Sequence, residues 1–191
     1  MTAMDNQDVY NSYYWQNDKV RLRLCRTQDS QFAAVDDLDS AAWAMVHEEV
    51  VLPSAVKKVD MTGDSDEPNV QAPAFSIETL DGEYIGHIHF NYINERHGTF
   101  SIGMILRKGY RGMGYGKAAM KILLEYAFHE RRLHKFSGYC LDTNIPSAKM
   151  MESLGCVREG TFRETVFMNG KYHDQFFYGL TAGEYKGNRK Q

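Results

Sequence analysis

Residues Arg111-Gly112-Met113-Gly114-Tyr115-Gly116-Lys117 place glycine at alternate positions directly before the most regular amphipathic stretch of the chain. Glycine lets a backbone turn tightly and approach a ligand with no β-carbon in the way. The unpaired amides at a helix start, with their partial positive charge, form a site for an anion such as pyrophosphate. The segment therefore predicts a phosphate-binding turn, to which the side chains of Arg111 and Lys117 can add charge.

Two common phosphate loops do not fit this turn. A Walker loop needs a glycine five residues before its Gly-Lys pair and a serine or threonine after it. Those positions hold Arg111 and Ala118. A dinucleotide fingerprint needs G-x-G-x-x-G in a parallel β-α-β unit. Here the spacing is G-x-G-x-G, and the preceding strand is predicted to belong to an antiparallel meander.

Outward from the turn, alternating and helical patterns predict an α/β (α+β) domain around one mixed sheet. Asp81-Gly82 and Asn169-Gly170 are typical of tight hairpin turns, and Gly155 is typical of a helix C-terminus. The predicted strands are 20–24, 74–79, 84–92, 99–106, 136–141, 161–167 and 172–180. The predicted helices are one or two within 30–51, then 117–130 and 145–154, and 60–73 is a predicted surface loop.

Composition narrows the class of protein. The chain has 191 residues, a net charge of -3 and no apolar run near the ~20 residues that span a bilayer. The acidic balance gives no case for nucleic acid, and the N-terminal residues lack a secretory pattern. Three scattered cysteines predict neither a disulfide framework nor a zinc site and favour a reducing cytoplasm. We expect a lead-in over 1–18, rich in polar and aromatic residues and flexible, one domain over 19–185 and a polar tail over 186–191.

The turn resembles the coenzyme A signature R/Q-x-x-G-x-G/A of the GNAT superfamily of N-acetyltransferases. Asn144-Ile145-Pro146-Ser147, followed by Leu154-Gly155, resembles the second-helix motif of that family. Residues 158–163 and 169–174 resemble the branch that acetylates ribosomal-protein alanine N-termini. The resemblance covers about residues 20–185. It implies a single GNAT-like domain whose central, mostly antiparallel mixed sheet is splayed at the cofactor site and flanked by helices.

The resemblance also implies where acetyl-CoA binds. The pantetheine arm is expected along the strand before the turn, and the diphosphate on the amides of the turn. Asn144 is expected to contact the cofactor, and Ser147 to lie near its sulfur. The implied cofactor-binding residues are Met104, Ile105, Leu106, Arg111, Gly112, Met113, Gly114, Tyr115, Gly116, Lys117, Asn144 and Ser147, with no metal.

The catalytic groups are less well marked. The expected reaction is direct attack of a neutral amine on the thioester, which needs a base and a group that stabilises the thiolate. Many family members carry a tyrosine where this chain has Met151, so Ser147 is the candidate partner of the thiolate; a local backbone contact is its alternative. Tyr139 and His89 are the candidate proton carriers, because the acids that some relatives carry are replaced by Tyr139 and Ser101.

The predicted function is transfer of the acetyl group of acetyl-CoA to a primary amine, on a protein N-terminus or a small molecule. A non-catalytic acyl-CoA-binding module or sensor is the alternative, motivated by Met151 and the missing carboxylates. A structural protein whose turn binds nothing is a third reading. We expect no nucleic acid and no membrane as partners, and a homodimer is compatible with the sequence.

Overall fold

The computed structural model describes residues 14–26, 29, 32 and 73–185, and this part of the chain folds around one seven-stranded sheet. The strand order is β1-β2-β3-β4-β5-β7-β6, and every neighbouring pair is antiparallel except β4 and β5. The strands are β1 (Val20–Leu24), β2 (Ala74–Thr79), β3 (Tyr84–Asn94), β4 (Thr99–Leu106), β5 (Lys135–Leu141), β6 (Val157–Met168) and β7 (Lys171–Thr181). The predicted fold class is confirmed. The helices predicted within 30–51, the loop over 60–73 and the tail over 186–191 lie outside the described residues, except Phe32 and Pro73.

Strands β1 to β4 form the antiparallel meander that the sequence predicts. The turn between β2 and β3 has Gly82 in the left-handed region, with φ +89°, whereas Asp81 keeps a negative φ. Trp15 stacks on Phe75 of β2, with ring centroids 4.8 Å apart, and its carbonyl accepts a hydrogen bond from Leu22 of β1. The last residues of the predicted lead-in are therefore packed onto the sheet, and residues 1–13 lie outside the described part.

Helix α1 (Tyr115–Glu125) covers one face of the sheet and continues into a π-helical turn over Tyr126–Glu130. Leu123, Leu124 and Ala127 have no exposed surface, and Phe128 packs edge-on against Phe100 of β4. Burying each such leucine or phenylalanine side chain stabilises the fold by roughly 1.5–3 kcal/mol. Because apolar residues recur at helical spacing over 118–128, α1 forms where it was predicted, although it begins two residues earlier.

The sheet opens between β4 and β5. These two strands run parallel and pair only at Thr99↔Lys135 and Phe100↔Phe136 within the described chain. Beyond these pairs β4 continues to Leu106 and β5 to Leu141. The splay that the resemblance implied is therefore present, and it leaves main-chain groups of β4 facing a gap instead of a neighbouring strand.

Helix α2 (Ile145–Ser153) follows β5 and is followed by the long β6–β7 hairpin. Gly155 takes φ +94° after the helix, and Asn169 and Gly170 take φ +51° and +81° at the hairpin turn, as their residue types predict. Strand β6 begins at Val157, four residues before its predicted start, and register shifts interrupt it twice. No described helix is long and apolar enough to cross a membrane.

Candidate active site

The glycine turn lies between β4 and α1, with a short 3₁₀ turn over Lys108–Tyr110 preceding it. Gly112 has φ +77° and Gly114 has φ +84°, both in the left-handed region, where a side chain is strained. A β-carbon on Gly112 would meet no atom within 4 Å, so the surface of the turn is open there. Gly114 is the N-cap of α1 and offers no capping side chain, so the first amides of the helix point outward. An anionic diphosphate fits this arrangement of exposed amides.

Two of the predicted cofactor-binding residues, Arg111 and Gly116, also make contacts that stabilise the fold. Arg111 turns back along the strand, and its Nε donates a hydrogen bond to the carbonyl of Leu106 at 2.7 Å. Gly116 is buried where α1 crosses β4, and a β-carbon there would stand 2.9 Å from Cε of Met104. From the sequence, Gly116 is expected to let the backbone approach a ligand. The structure shows that close packing of α1 on β4 also requires glycine at this position. Tyr115 and Lys117 lie in the first turn of α1.

Lys19 contacts the glycine turn, although its position in the sequence does not indicate this. Its Nζ donates a hydrogen bond to the carbonyl of Met113 at 3.1 Å, across 94 residues of sequence. No motif spacing links residue 19 to the glycine turn. Only the pairing of β1 with β2 and the packing of α1 beside β1 bring the two together, so the sequence carried no signal for this contact.

The edge of β4 at the splay carries the three predicted pantetheine residues. On its other edge β4 pairs with β3, through Met104↔Ile88, Ile105↔His87 and Leu106↔Gly86. The side chains of Met104 and Leu106 reach Gly116 of α1, so they form the floor between strand and helix. Within the described chain the pairing of β4 with β5 ends at Phe100, and the Leu106 carbonyl accepts the hydrogen bond of Arg111, so an extended ligand can add to the stretch of edge between these two residues.

Asn144 and Ser147 form the start of α2. Oδ1 of Asn144 accepts a hydrogen bond from the backbone amide of Ser147 at 3.3 Å, so Asn144 is the N-cap of the helix. Burial raises the pKa of the Cys140 thiol on β5 to about 11, and a hydrogen bond from the Ser147 side chain partly offsets that effect. Ser147 thus lies near Cys140 of β5 beside the splay, and its amide donates to the Asn144 side chain.

His89 lies on the sheet face opposite α1. Register pairs His89 with Gly103 of β4, and a β-carbon on Gly103 would stand 2.8 Å from Nε2 of His89 and 2.5 Å from Oδ1 of Asn91. Glycine at 103 therefore leaves room for the imidazole to lie across β4, one residue before Met104. The neighbouring imidazole of His87 stacks with it at a centroid distance of 5.9 Å.

Tyr139 lies on the same face as His89, across the splay. Phe136 and Gly138 of β5 face the helices, because Phe136 packs on Phe100 and Gly138 meets Met151 of α2. The intervening alternation turns Tyr139 to the other face, where its side chain is exposed and its ring lies 5.9 Å from that of Phe177. The structure therefore places His89 and Tyr139 on one face, on opposite sides of the gap between β4 and β5.

Three carboxylates of the described chain that could act as bases have other partners. Glu78 is buried and accepts hydrogen bonds from Arg21 and Arg23. Asp142 pairs with Nδ1 of the buried His173 at 2.9 Å, and Oδ1 of Asp174 accepts the amide of Glu164 at 2.9 Å. Removing one partner of a buried pair costs roughly 3–5 kcal/mol, so Glu78 serves the fold through its two arginine partners.

The described chain holds no cluster of three histidine, cysteine, aspartate or glutamate side chains that could bind a metal ion. Met151 is buried, with 3% of its surface exposed, and leaves no phenol at this place. Cys140 and Cys156 are buried, and burial raises the pKa of Cys156 to about 12, so both are thiols at neutral pH.

Comparison with known proteins identifies the class. Residues 6–157 match the acetyltransferase (GNAT) domain, so this chain belongs to the GNAT acetyltransferase family. It is 34% identical over 102 residues to the uncharacterized N-acetyltransferase YnaD of Bacillus subtilis, a match that spans 53% of this chain and 59% of that protein. It is 24% identical to the prophage-derived uncharacterized N-acetyltransferase YokL of the same organism, over 92% of this chain and 97% of that one.

Solved structures agree on the fold. The spermidine N-acetyltransferase of Vibrio cholerae, solved in complex with CoA and spermine, superposes with a TM-score of 0.78 at 21% identity, over 88% of this chain and 99% of that one. A GNAT-family acetyltransferase from Bacillus anthracis superposes with a TM-score of 0.75 at 23% identity, over 88% of this chain and 98% of that one. The family and the fold predicted from the glycine turn are confirmed, and the comparisons indicate an acetyl-CoA-dependent N-acetyltransferase.

Proposed function

We propose that this chain transfers the acetyl group of acetyl-CoA directly to a primary amine, with the cofactor held along β4 and on the glycine turn. The observation that carries the proposal is the open turn at Gly112 and Gly114, whose amides begin α1 beside the splay of the sheet. A diphosphate needs main-chain donors at a helix start, and a pantetheine arm needs a free strand edge; both are provided here.

In this proposal different groups of residues bind different parts of the cofactor. On the diphosphate side, the amides of Gly112, Met113, Gly114, Tyr115, Gly116 and Lys117 bind charge, while Arg111 supports the turn through Leu106. On the β4 edge, Met104, Ile105 and Leu106 pair with the arm. At α2, Asn144 contacts the cofactor while it caps the helix, and the hydroxyl of Ser147 donates a hydrogen bond to the departing thiolate.

The amine enters from the face that carries His89 and Tyr139. A primary amine is protonated at neutral pH and must lose a proton before it attacks. Imidazole is suited to accept it, because its ordinary pKa lies near neutrality. The room at Gly103 allows His89 to lie over β4 beside the expected thioester, and this position supports His89 as the proton acceptor. Tyr139 is proposed to line the acceptor entrance.

The acceptor is proposed to be a primary amine of a protein N-terminus or a small cationic molecule. Relatives support both: the chain is 29% identical over 98 residues to the ribosomal-protein-serine acetyltransferase of Escherichia coli. It is 28% identical over 100 residues to the spermidine N(1)-acetyltransferase of Vibrio cholerae. The acidic net charge of -3 suits a cationic acceptor. We also propose a cytoplasmic enzyme with residues 19–185 as one domain, assembled as a homodimer.

A thiol-release assay tests the proposal. Acetyl-CoA and purified protein are incubated with polyamines, amino sugars, amino acids and peptides with free N-termini, and free CoA thiol is measured. Release that depends on one amine class supports transfer and identifies the acceptor. Intact CoA binding without thiol release for any acceptor would favour the non-catalytic module. The buried Met151 and the hydrogen-bonded carboxylate of Glu78 are the observations that support that alternative. A folded protein without CoA affinity would contradict both readings.

A further inference from the structure

Lys19 directly precedes β1, and its side chain reaches over the glycine turn. Besides its hydrogen bond to the Met113 carbonyl at 3.1 Å, its Nζ lies 3.5 Å from the place of a β-carbon on Gly114. It also lies 5.9 Å from the ring centroid of Tyr115, the first residue of α1. The ammonium therefore stands at the junction where the turn becomes the helix.

The backbone around Lys19 is fastened to α1 by one side chain. Oδ1 of Asn17 accepts hydrogen bonds from the amides of Lys19 at 3.0 Å and Val20 at 3.1 Å. Nδ2 of the same side chain donates to the carbonyl of Ala118 in α1 at 2.9 Å. Because Asn17 links the start of β1 to the carbonyl of Ala118 in α1, the backbone of Lys19 is held beside the turn.

The charges at the turn differ in what they contact. Nε of the Arg111 guanidinium donates a hydrogen bond to the Leu106 carbonyl of β4. Lys19 is exposed, and an ammonium has three N–H donors, of which the Met113 carbonyl takes one. The Lys19 ammonium therefore has two further N–H donors beside the glycines of the turn, and these donors are suited to bind a phosphate oxygen.

We propose that Lys19 is a phosphate-binding residue of the cofactor site, which directs its ammonium to the diphosphate of CoA. This inference rests on the proposed function, because it takes the glycine turn as the diphosphate site. It assigns the charge that meets the diphosphate to a residue outside the signature, and it leaves Arg111 as a support of the turn. The amide donors supply the shape of the site, and Lys19 supplies its charge.

Isothermal titration tests this with Lys19→Met, Lys19→Gln and Lys19→Arg, using CoA, dephospho-CoA and pantetheine as probes. Pantetheine lacks the diphosphate, the adenosine and the 3′-phosphate, whereas dephospho-CoA lacks only the 3′-phosphate. We expect Lys19→Met and Lys19→Gln to weaken CoA and dephospho-CoA equally, by about tenfold, the effect of one charge-assisted contact at an exposed position. Pantetheine binding should not change, Lys19→Arg should stay within about threefold of wild type, and added salt should shrink the difference.

Lys121→Met is the matched control, because Lys121 is an exposed lysine of α1 that lies beyond the first turn of that helix. Unchanged CoA affinity in Lys19→Met would overturn the inference. Unchanged CoA affinity in Lys19→Gln would also overturn it. The neutral amide of that variant can still donate to the Met113 carbonyl, so the contact would then be purely structural. A loss confined to CoA and absent for dephospho-CoA would move Lys19 to the 3′-phosphate. A wild-type protein that binds no CoA would refute the proposed function itself.

Discussion

The glycine turn and the acceptor face use different parts of the chain for recognition. At the turn, main-chain amides are presented because Gly112 and Gly114 adopt left-handed φ angles. At the acceptor face, the chemistry lies in side chains on separate strands, with His89 and Tyr139 on opposite sides of the splay. Main-chain recognition needs a particular residue type at fixed spacing, whereas side-chain chemistry can be supplied from several positions.

The largest effect is expected at the turn. Gly114→Val should abolish CoA binding, with an affinity loss of about 100-fold or more, because the side chain would stand beside Nζ of Lys19 at the helix start and is strained at φ +84°. Gly82→Val is the control for backbone strain, since Gly82 has φ +89° in a distant hairpin, where an added β-carbon meets no atom within 4 Å. Both variants should lose similar stability in thermal melts, and only Gly114→Val should lose CoA affinity in titration calorimetry. Equal CoA affinity in the two variants would contradict the placement of the diphosphate on the glycine turn.

This difference explains how much the sequence could predict. Seven strands and both described helices follow from alternation, helical spacing and the residues at Gly82, Gly155 and Asn169-Gly170. The turn was predictable because its three glycines lie within five consecutive residues. Lys19 was not, since 94 residues separate it from its partner Met113. The dual role of Gly116 was equally hidden, because the contact with Met104 depends on how α1 crosses β4.

At the acceptor face the next effect is expected in turnover. His89→Gln should lower kcat by about 100-fold, the usual loss when a general base is removed, and should leave CoA affinity unchanged. His87→Gln is the control, because His87 shares the face and stacks with His89 but pairs with Ile105 instead of Gly103. Steady-state kinetics with the best acceptor of the panel measure both. Equal losses in the two variants would contradict the assignment of the base.

A smaller effect is expected at the start of α2. Ser147→Ala should lower kcat by about tenfold, since one hydrogen bond to a charged group is lost at the departing thiolate. Ser153→Ala in the same helix is the control; its hydroxyl bonds the carbonyl of Met150 and faces solvent. If the two alanine variants turn over equally fast under saturating acetyl-CoA, Ser147 has only its contact with Cys140, and the thiolate is protonated by another group.

The most direct test of the central claim is an amide proton–nitrogen spectrum recorded during titration with CoA. If the diphosphate binds main-chain donors at the start of α1, the amides of Gly112, Gly114 and Lys117 shift strongly with CoA and hardly at all with pantetheine, which shifts only amides of β4. Saturating CoA that leaves these three amide signals where they were would contradict the account.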